Sequence, residues 1–474
     1  MADATQQAVE LYGGAVALIP GGVEVKDPAK LRSEATDRLV RQAVFGEGEE
    51  REAARWLLWE LGQVTGARPA SINGLYLARG RGECGGFTVP AMNVRMLAYD
   101  TARAIFRTAK AGKAGAIILE IARSEIAYTD QRPAEYVSVL IGAALREGYT
   151  LPLFIQGDHC QVSAKKYEAE PEAEVGEVKK LIQEEIGAGF YNIDVDTSTL
   201  VDLSQPTLDE QQRANYERCA EITAFIRELE PEGVTVSVGG EIGEVGHKNS
   251  TVEELHAFMQ GFNRTLQARG LDPVEQGISK ISVQTGTSHG GVVLADGSIA
   301  DVKLDLDALR DLSRVAREEY KLSGAVQHGA STLPANAFGN FPRVETAEIH
   351  LATNFQNIVF DHPQLPEEFR RELRQWVSDN AQSDRKASDT EEQFYYKARK
   401  KAIGPFKRRF WELPEETRAA IAADLEKTFA FLFEQLNVNG TADLVHRYIH
   451  APMQHHAALK PALVTAEDDP EAGE

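Results

Sequence analysis

Apolar positions along the chain follow two periods. Between residue 87 and about residue 360, short apolar runs recur at 87–94, 115–122, 151–156, 192–197, 234–240, 278–285, 324–328 and 347–353. Each has the length and flanking turn residues of a buried strand. Helix-compatible stretches separate them, at 97–110, 135–146, 175–187, 211–229, 252–268 and 306–320. Eight strands alternating with helices predict a parallel α/β architecture. The span 87–360 suits a (β/α)8 TIM barrel, a fold of about 250 residues. A doubly wound sheet is the alternative, but it needs a glycine fingerprint near its first strand. The best glycine cluster, Gly239-Gly240-Glu241-Ile242-Gly243, lacks the spacing and lies at the fifth strand, so the dinucleotide reading fails.

Outside this span the pattern turns helical. Residues 1–86 read as a helical N-terminal extension, with Leu39, Val40, Val44, Trp56, Leu57 and Leu61 as core contacts. Its end, residues 79–86 (RGRGECGG), is read as a mobile linker in preference to a loop whose Arg79 and Arg81 meet an anion. Residues 361–474 form a helical C-terminal region with an acidic tail. Within it, 383–393 is polar enough to be a loop or a disordered break. In 415–436, Ile421, Leu425, Phe429, Leu432, Phe433 and Leu436 recur at three- and four-residue steps, an amphipathic helix that packs on its own barrel or on a neighbouring subunit. Two charged stretches stand apart. The acidic insert 168–177 is expected to be a mobile, solvent-facing loop placed where it could act as a lid. The basic stretch 397–409 (KARKKAIGPFKRR) reads as a solvated helix face, with an anion clamp for a distal phosphate as the alternative.

Composition narrows the function. A formal charge of −21 argues against general nucleic-acid binding, because phosphate backbones would be repelled. Cys84, Cys160 and Cys219 are too scattered for a disulfide framework or a CxxC metal site, so reduced thiols in the cytoplasm are expected. No apolar run approaches the roughly 20 residues of a membrane span, and the first residues lack the pattern of a signal peptide.

The chemistry concentrates at strand ends. Residues 154–163 read FIQGDHCQVS, and the strand is expected to break at Gly157 and present Asp158 and His159 together. A reaction centre and a capping Asp beside a surface His are both open for this pair alone. Asp196 and Ser198 end the fourth strand, and Glu241 the fifth. His289 follows the sixth in GTSHGG, and His328 ends the seventh in QHGAS. Barrel active sites lie on this rim. Three imidazoles from separate strands suit a catalytic Zn²⁺ or similar divalent ion with an open position. Such an ion polarises a carbonyl, and Asp158 can move a hydroxyl proton. Gly290, Gly329 and Ser331, completed by Thr353, offer a phosphate cradle. The combination points to metal-assisted carbon–carbon cleavage of a phosphorylated ketose.

The motifs GDHC, GEIG, GTSHGG, QHGAS and LATN, in this order, resemble the class II, metal-dependent fructose- and tagatose-bisphosphate aldolases over about residues 87–358. The resemblance implies that Asp158 is the catalytic acid/base and that His159, His289 and His328 bind zinc. It implies that Asp196 and Glu241 line a second metal position. It also implies that Gly290, Gly329, Ser331 and Thr353 hold the ketose phosphate near a Na⁺ or K⁺ ion, with Asn93 close to the substrate. A cytoplasmic homo-oligomer acting in glycolysis on fructose 1,6-bisphosphate, giving dihydroxyacetone phosphate and glyceraldehyde 3-phosphate, is the corresponding expectation. There are departures. The acidic pair expected after GEIG is replaced by His247-Lys248-Asn249-Ser250, leaving Glu244 or His247 as substitutes. His350 stands where the family has asparagine, and Glu120 where it has glutamine. A non-catalytic barrel subunit supporting a tagatose-bisphosphate aldolase, or an aldolase for another sugar phosphate, are the competing readings.

Overall fold

The eight apolar runs form strands β1 Val89–Asn93, β2 Ile118–Ala122, β3 Leu153–Gln161, β4 Asn192–Asp196, β5 Ser237–Glu241, β6 Lys280–Val283, β7 Ala325–Gln327 and β8 Glu348–Leu351. They come from a computed structural model that describes residues 2–243, 248–286, 294 and 304–456. Each strand pairs in parallel with the next, β8 pairs with β1, and the β3–β4 pairing completes the ring. This is a closed (β/α)8 barrel. Helices Ala98–Gly112, Pro133–Glu147, Pro171–Ala188, Leu208–Leu229, Val252–Ala268 and Leu306–Glu318 surround it. Their starts are set locally. Val252–Ala268, for example, begins at a capping box in which Thr251 and Glu254 satisfy each other's backbone N–H groups.

The N-terminal extension contains the helices Glu34–Phe45 and Gly48–Thr65, whose Leu39, Val40, Leu57 and Leu61 are fully buried. Trp56 is only partly buried against that core. The extension also contains an antiparallel hairpin, Val16–Ile19 with Gly22–Val25, which the helical reading missed. Four-residue strands leave too little periodicity to detect, and the turn depends on Gly21 at φ +85°. Pro69-Ala70 then adds a short parallel pairing to the start of β3.

Three expectations about charged segments need correction. Residues 79–86 do not begin as a mobile linker. Arg79 ends the helix Asn73–Gly80 fully buried, donating to Phe87 O at 2.6 Å and Thr346 O at 3.0 Å and pairing with Glu345 at 3.1 Å. The acidic insert is helical, not a loop, though residues 168–173 face solvent as expected. It spans the helix Ala164–Ala169 and the first turns of Pro171–Ala188, where buried Glu174 pairs with Arg123 at 2.8 Å and accepts from Ser163 N at 2.9 Å. The basic stretch is partly a solvated face, with Arg408 and Arg409 more than half exposed, but it is not an open clamp, because carboxylates pair with most of its charges. Lys401 meets Asp384, Lys407 meets Glu135, and Arg409 meets Glu372, each at 2.6 Å; Arg399 meets Asp361 at 2.5 Å.

The amphipathic helix Glu415–Gln435 packs on its own barrel, against the helix Ala98–Gly112, as its spacing predicts. Leu425, Phe429 and Phe433 are buried to 1% exposure or less. Each such side chain contributes about 1.5–3 kcal/mol by leaving water. Arg418–Asp100 at 3.0 Å and Arg107–Glu426 at 2.7 Å fix the register of the two helices. The acidic tail beyond residue 456 lies outside the described residues.

Arg79→Met preserves the side-chain volume but leaves Phe87 O without its donor and takes one partner each from Thr346 O and Glu345. A loss of about 3–5 kcal/mol in urea-unfolding free energy is expected; a change within about 0.5 kcal/mol, the range of ordinary surface substitutions, would show that Arg79 does not hold this end of the barrel.

Candidate functional site

The barrel interior carries charge where an aliphatic layer is usual. Side chains two apart on one strand face the same side, and four strands place polar pairs inward: Gln156/Asp158, Asp194/Asp196, Lys280/Ser282 and Glu348/His350. At the lower level, buried Lys280 donates to Gln156 Oε1 at 2.7 Å, Asp194 Oδ2 at 3.0 Å and Glu348 Oε1 at 2.6 Å. Gln156 Nε2 in turn donates to Glu120 Oε2 and Glu348 Oε1, both at 2.9 Å, and Tyr76 donates to the other oxygen of Glu348. With this support Glu348 is held down to about 2, the neighbouring cations outweighing a burial that alone would raise it.

Above that layer β3 does not stop at Gly157, contrary to the expected break. The strand runs to Gln161 through a bulge: Gly157 pairs with Ile193 and Cys160 with Val195, so Asp158 and His159 together oppose Asp194. His159, not Gly157, takes the left-handed conformation, at φ +41°. Gly157 is needed for another reason: a Cβ there would lie 2.5 Å from Glu185 Oε2. The bulge turns two consecutive side chains toward one cluster of buried polar groups, and both are buried to 5% exposure.

Around them the sequence-predicted residues converge. Nδ1 of His159 lies 3.1 Å from Asp196 Oδ2 and 3.9 Å from Glu241 Oε2, and Nε2 lies 4.0 Å from Asp158 Oδ1. The ring of His328 lies 4.4 Å from that of His159 and contacts Ser282 Oγ at 3.0 Å. Asp196 also accepts from Gln161 and Ser198, so its carboxylate orients the His159 ring. Asn93 is buried nearby on β1, its amide engaged with Glu125 and Arg95. Ser331 accepts from Ala352 N at 2.5 Å, which joins the Gly329–Ser331 turn to the strand end that precedes Thr353. His289, Gly290, Glu244 and His247 lie outside the described residues.

His350, read from sequence only as a departure, is central. Its ring stacks on His328 at 4.0 Å, and its nitrogens lie 3.1 Å from Glu120, 3.2 Å from Asp158 and 2.8 Å from Glu348. Burial would lower the basicity of His350, but Glu120 and Asp158 raise it well above the usual histidine range. Burial would likewise raise Asp158, yet His159, His350 and His328 hold it well below the carboxylate range. Burial raises Glu120 to about 7, reinforced by Asp158, and Glu241 to about 8, reinforced by Asp196.

The donor set fits a divalent cation. Asp158, His159 and His328 offer ligand atoms within 4.8 Å of one another, as do His159, Asp196 and Glu241. Asp158 Oδ1 is buried with no well-formed hydrogen bond, its nearest neighbours being the imidazoles of His350 at 3.2 Å and His159 at 4.0 Å. Glu120, Asp158, Asp194, Asp196, Glu241 and Glu348 gather around Lys280, His159 and His350, and the burial that pushes Glu120 and Glu241 up marks places where a cation can replace a proton. Imidazole with carboxylate is a donor mixture of zinc-type sites. Sequence reasoning missed Lys280, Glu348, Asp194 and Gln156 because it looked only at strand ends.

A family model described as class-II fructose-bisphosphate aldolase matches residues 81–403. Among solved structures, the chain is similar to a fructuronate-tagaturonate epimerase from Cohnella laeviribosi at 14% identity, covering 92% of this chain and 100% of that one, with a TM-score of 0.54. It is also similar to a probable tagatose 6 phosphate kinase from Sinorhizobium meliloti 1021, at 15% identity, covering 76% and 93%, with a TM-score of 0.50. A fructose-bisphosphate aldolase from Campylobacter jejuni matches at 16% identity, covering 79% and 98%, with a TM-score of 0.47. At these identities the likeness concerns the fold. No curated protein matches the chain. Among the described residues, no helix is long and apolar enough to cross a membrane.

Two outcomes are expected from the interior charges. Lys280→Met should lower the unfolding free energy by about 3–5 kcal/mol, since it leaves Asp194 and Glu348 buried without their cation. Adding Glu348→Gln should recover part of that loss in the same urea titration. Glu185 behind the bulge is raised by burial to about 8, against an ordinary 4.5. Between those values the folded chain keeps a proton that the unfolded chain has released, so stability falls as pH rises through the window. Glu185→Gln should therefore melt higher than the wild type at about pH 8 and nearly equal to it at about pH 4.5; parallel melting curves at all pH values would contradict this.

Proposed function

The chain belongs to the class-II fructose-bisphosphate aldolase family, and from that premise we propose that it is a divalent-metal-dependent aldolase that reversibly cleaves a ketose bisphosphate. Fructose 1,6-bisphosphate is the proposed substrate, with dihydroxyacetone phosphate and glyceraldehyde 3-phosphate as products. The observation that carries the reading is the bulge in β3, which places Asp158 beside His159 and within reach of His328.

His159 and His328, with His289, would hold the metal, zinc by preference, and Asp196 and Glu241 would line an alternate position. When bound, the ion supplies Lewis acidity at the substrate carbonyl. Asp158, kept ionised by the surrounding imidazoles, takes the proton from the C4 hydroxyl as the C3–C4 bond breaks; the electron pair of that bond passes to the ketose fragment as an enediolate, which takes up a proton at the former C3 to give dihydroxyacetone phosphate. In the reverse direction it returns that proton to the aldehyde oxygen. Gly329, Ser331 and Thr353, with Gly290, bind the ketose phosphate through backbone N–H groups and hydroxyls, with a monovalent cation close by. Asn93 helps to orient the substrate. A cytoplasmic homo-oligomer is part of this proposal.

A different sugar phosphate is the second reading, and His350 favours it. A bulky ring stacked on His328 stands where the family has a substrate-binding asparagine, so the space around the carbonyl end differs. A non-catalytic subunit fits less well, because imidazoles and carboxylates buried together weaken the fold without serving it.

Metal content by elemental analysis, together with coupled cleavage of fructose 1,6-bisphosphate, tests the proposal. The wild type should carry a divalent metal and turn over. Asp158→Asn should keep the metal and lose about 10²–10⁴-fold in kcat, and His159→Ala should lose the metal. Wild-type protein with no metal and no cleavage would overturn the aldolase reading. Bound metal with no turnover of fructose or tagatose bisphosphate would move the substrate to the second reading.

A further inference from the structure

The opposite face of the barrel carries a feature that the proposed reaction does not use. A cavity of about 360 Å³ opens where the chain enters β1, β7 and β8, on the N-terminal side of the strands. Six cationic side chains line it: Arg81, Arg310, Arg314, Arg317, Lys321 and Arg343, against the two carboxylates of Glu318 and Glu345. In a chain with a net charge of −21, such a concentration is unexpected by composition alone.

Three separate segments build it. The helix Leu306–Glu318 presents Arg310, Arg314 and Arg317 at steps of four and three, one helical face. Arg81 arrives from the turn after the helix Asn73–Gly80, and Arg343 from the helix Asn340–Arg343 ahead of β8. The two loops that bring Arg81 and Lys321 together touch through their backbones: a Cβ on Gly80 would lie 1.9 Å from Lys321 O. Only glycine permits that approach.

An ordinary solvated face is the simpler reading. The C-terminal end of a helix attracts cations, and this accounts for Lys321, which donates to Glu318 O at 2.8 Å. It does not bring in Arg81 and Arg343 from elsewhere. Nor are the charges well paired. Arg314–Glu318 at 3.5 Å and Arg317–Glu345 at 3.4 Å are longer than a charge-assisted hydrogen bond. Glu345 is already shared with Arg79 and Gly86 N. Among the described residues, Arg81 and Arg310 ion-pair with exposed carboxylates of their own segments, Glu83 at 2.6 Å, and Asp307 and Asp311 at 2.7 and 3.4 Å. Exposed pairs of that kind are worth little and are readily exchanged. Among the described residues Arg343 meets no carboxylate, and Nε of Arg317 is buried without a hydrogen-bond partner.

We propose that this cavity is a binding site for a small phosphorylated metabolite, separate from the catalytic rim. Its volume falls within the roughly 300–1,000 Å³ of small-molecule sites. Guanidinium groups converging from three directions match the several oxygens of a phosphate, which they bind in pairs. A long nucleic acid would extend beyond the cavity onto the acidic surface and be repelled.

The probe is inorganic pyrophosphate, titrated calorimetrically into the full chain at low ionic strength. Binding by the wild type is expected to weaken at least about ten-fold, the equivalent of roughly 1.4 kcal/mol, in Arg314→Ala/Arg343→Ala. Both side chains stand at the surface, and the melting temperature of the double variant should match that of the wild type. Ser331→Ala, which alters the proposed phosphate cradle on the opposite rim, should retain this binding event. Equal affinity in the double arginine variant, loss of binding confined to Ser331→Ala, or no binding by the wild type would each overturn the site. None of these outcomes depends on whether the protein cleaves a ketose bisphosphate, so the two proposals fail separately.

Discussion

Lys280 places an ammonium group near the floor of the barrel, and the arrangement of the interior follows from that charge. Taking an ion out of water costs several kcal/mol even after the protein relaxes, so a buried lysine persists only where carboxylates and hydrogen bonds surround it. Here Asp194, Glu348 and Gln156 do so from three strands. Once Glu348 is ionised at this depth it can also hold His350 at 2.8 Å. His350 then stacks on His328 and approaches Asp158. The position of the upper groups is thereby tied to a buried lower layer. Orientation of this kind is what a site needs when displacement by about 1 Å can cost 10²-fold in rate.

The second constraint is stereochemical. Regular β-structure sends Asp158 and His159 to opposite faces, which would leave one of them in the wall between strand and helix. Two residues opposite one on β4 resolve this by bending the chain, and the extra residue accepts φ +41°. A β-branched side chain would tolerate that conformation poorly. Gly157 and Glu185 complete the local fit from behind, since the neutral carboxyl of Glu185 occupies the space where a Cβ would sit. Cys160 belongs to the same packing: it donates to Glu185 at 3.3 Å, and burial pushes its thiol far above the reactive range, so it is a structural thiol.

The barrel was legible in the sequence because each strand is a continuous apolar run set between helices, and continuity survives small errors at the ends. The hairpin of residues 16–25 was not, since its two short strands carry no period. At the site, Asp158, His159, His328, Asp196 and Glu241 were found by their position after apolar runs. Lys280 and Glu348 were not, because they lie early in their runs, away from the strand ends where chemistry was sought. The signal was nevertheless present: polar residues recurring at i and i+2 inside 156–158, 194–196, 280–282 and 348–350 mark inward positions of a ring. Charged segments were the least legible. Whether 397–409 faces solvent or carboxylates depends on Asp361, Glu372, Asp384 and Glu135, which the fold brings near, and no local pattern in 397–409 records them.

A mouth rich in carboxylates presents a difficulty for the proposed substrate, which carries two phosphate groups. A doubly charged phosphate about 6 Å from one carboxylate meets a repulsion of several kcal/mol at the effective dielectric of a protein surface, and this rim has more than one. Arg95 beside β1 cannot relieve it alone, because it is already paired with Glu125. In the proposed reading the balance must come from cations held by the site itself together with backbone N–H groups that carry no counter-charge. A turn such as Gly329–Ser331, with Gly329 at φ +68°, exposes N–H groups in that way. The same carboxylates that repel an anion in isolation are the groups that concentrate a divalent ion there. In that reading metal and phosphorylated sugar would be complementary: the acidic interior would gather the cation, and the cation would make the acidic interior tolerable to an anionic substrate.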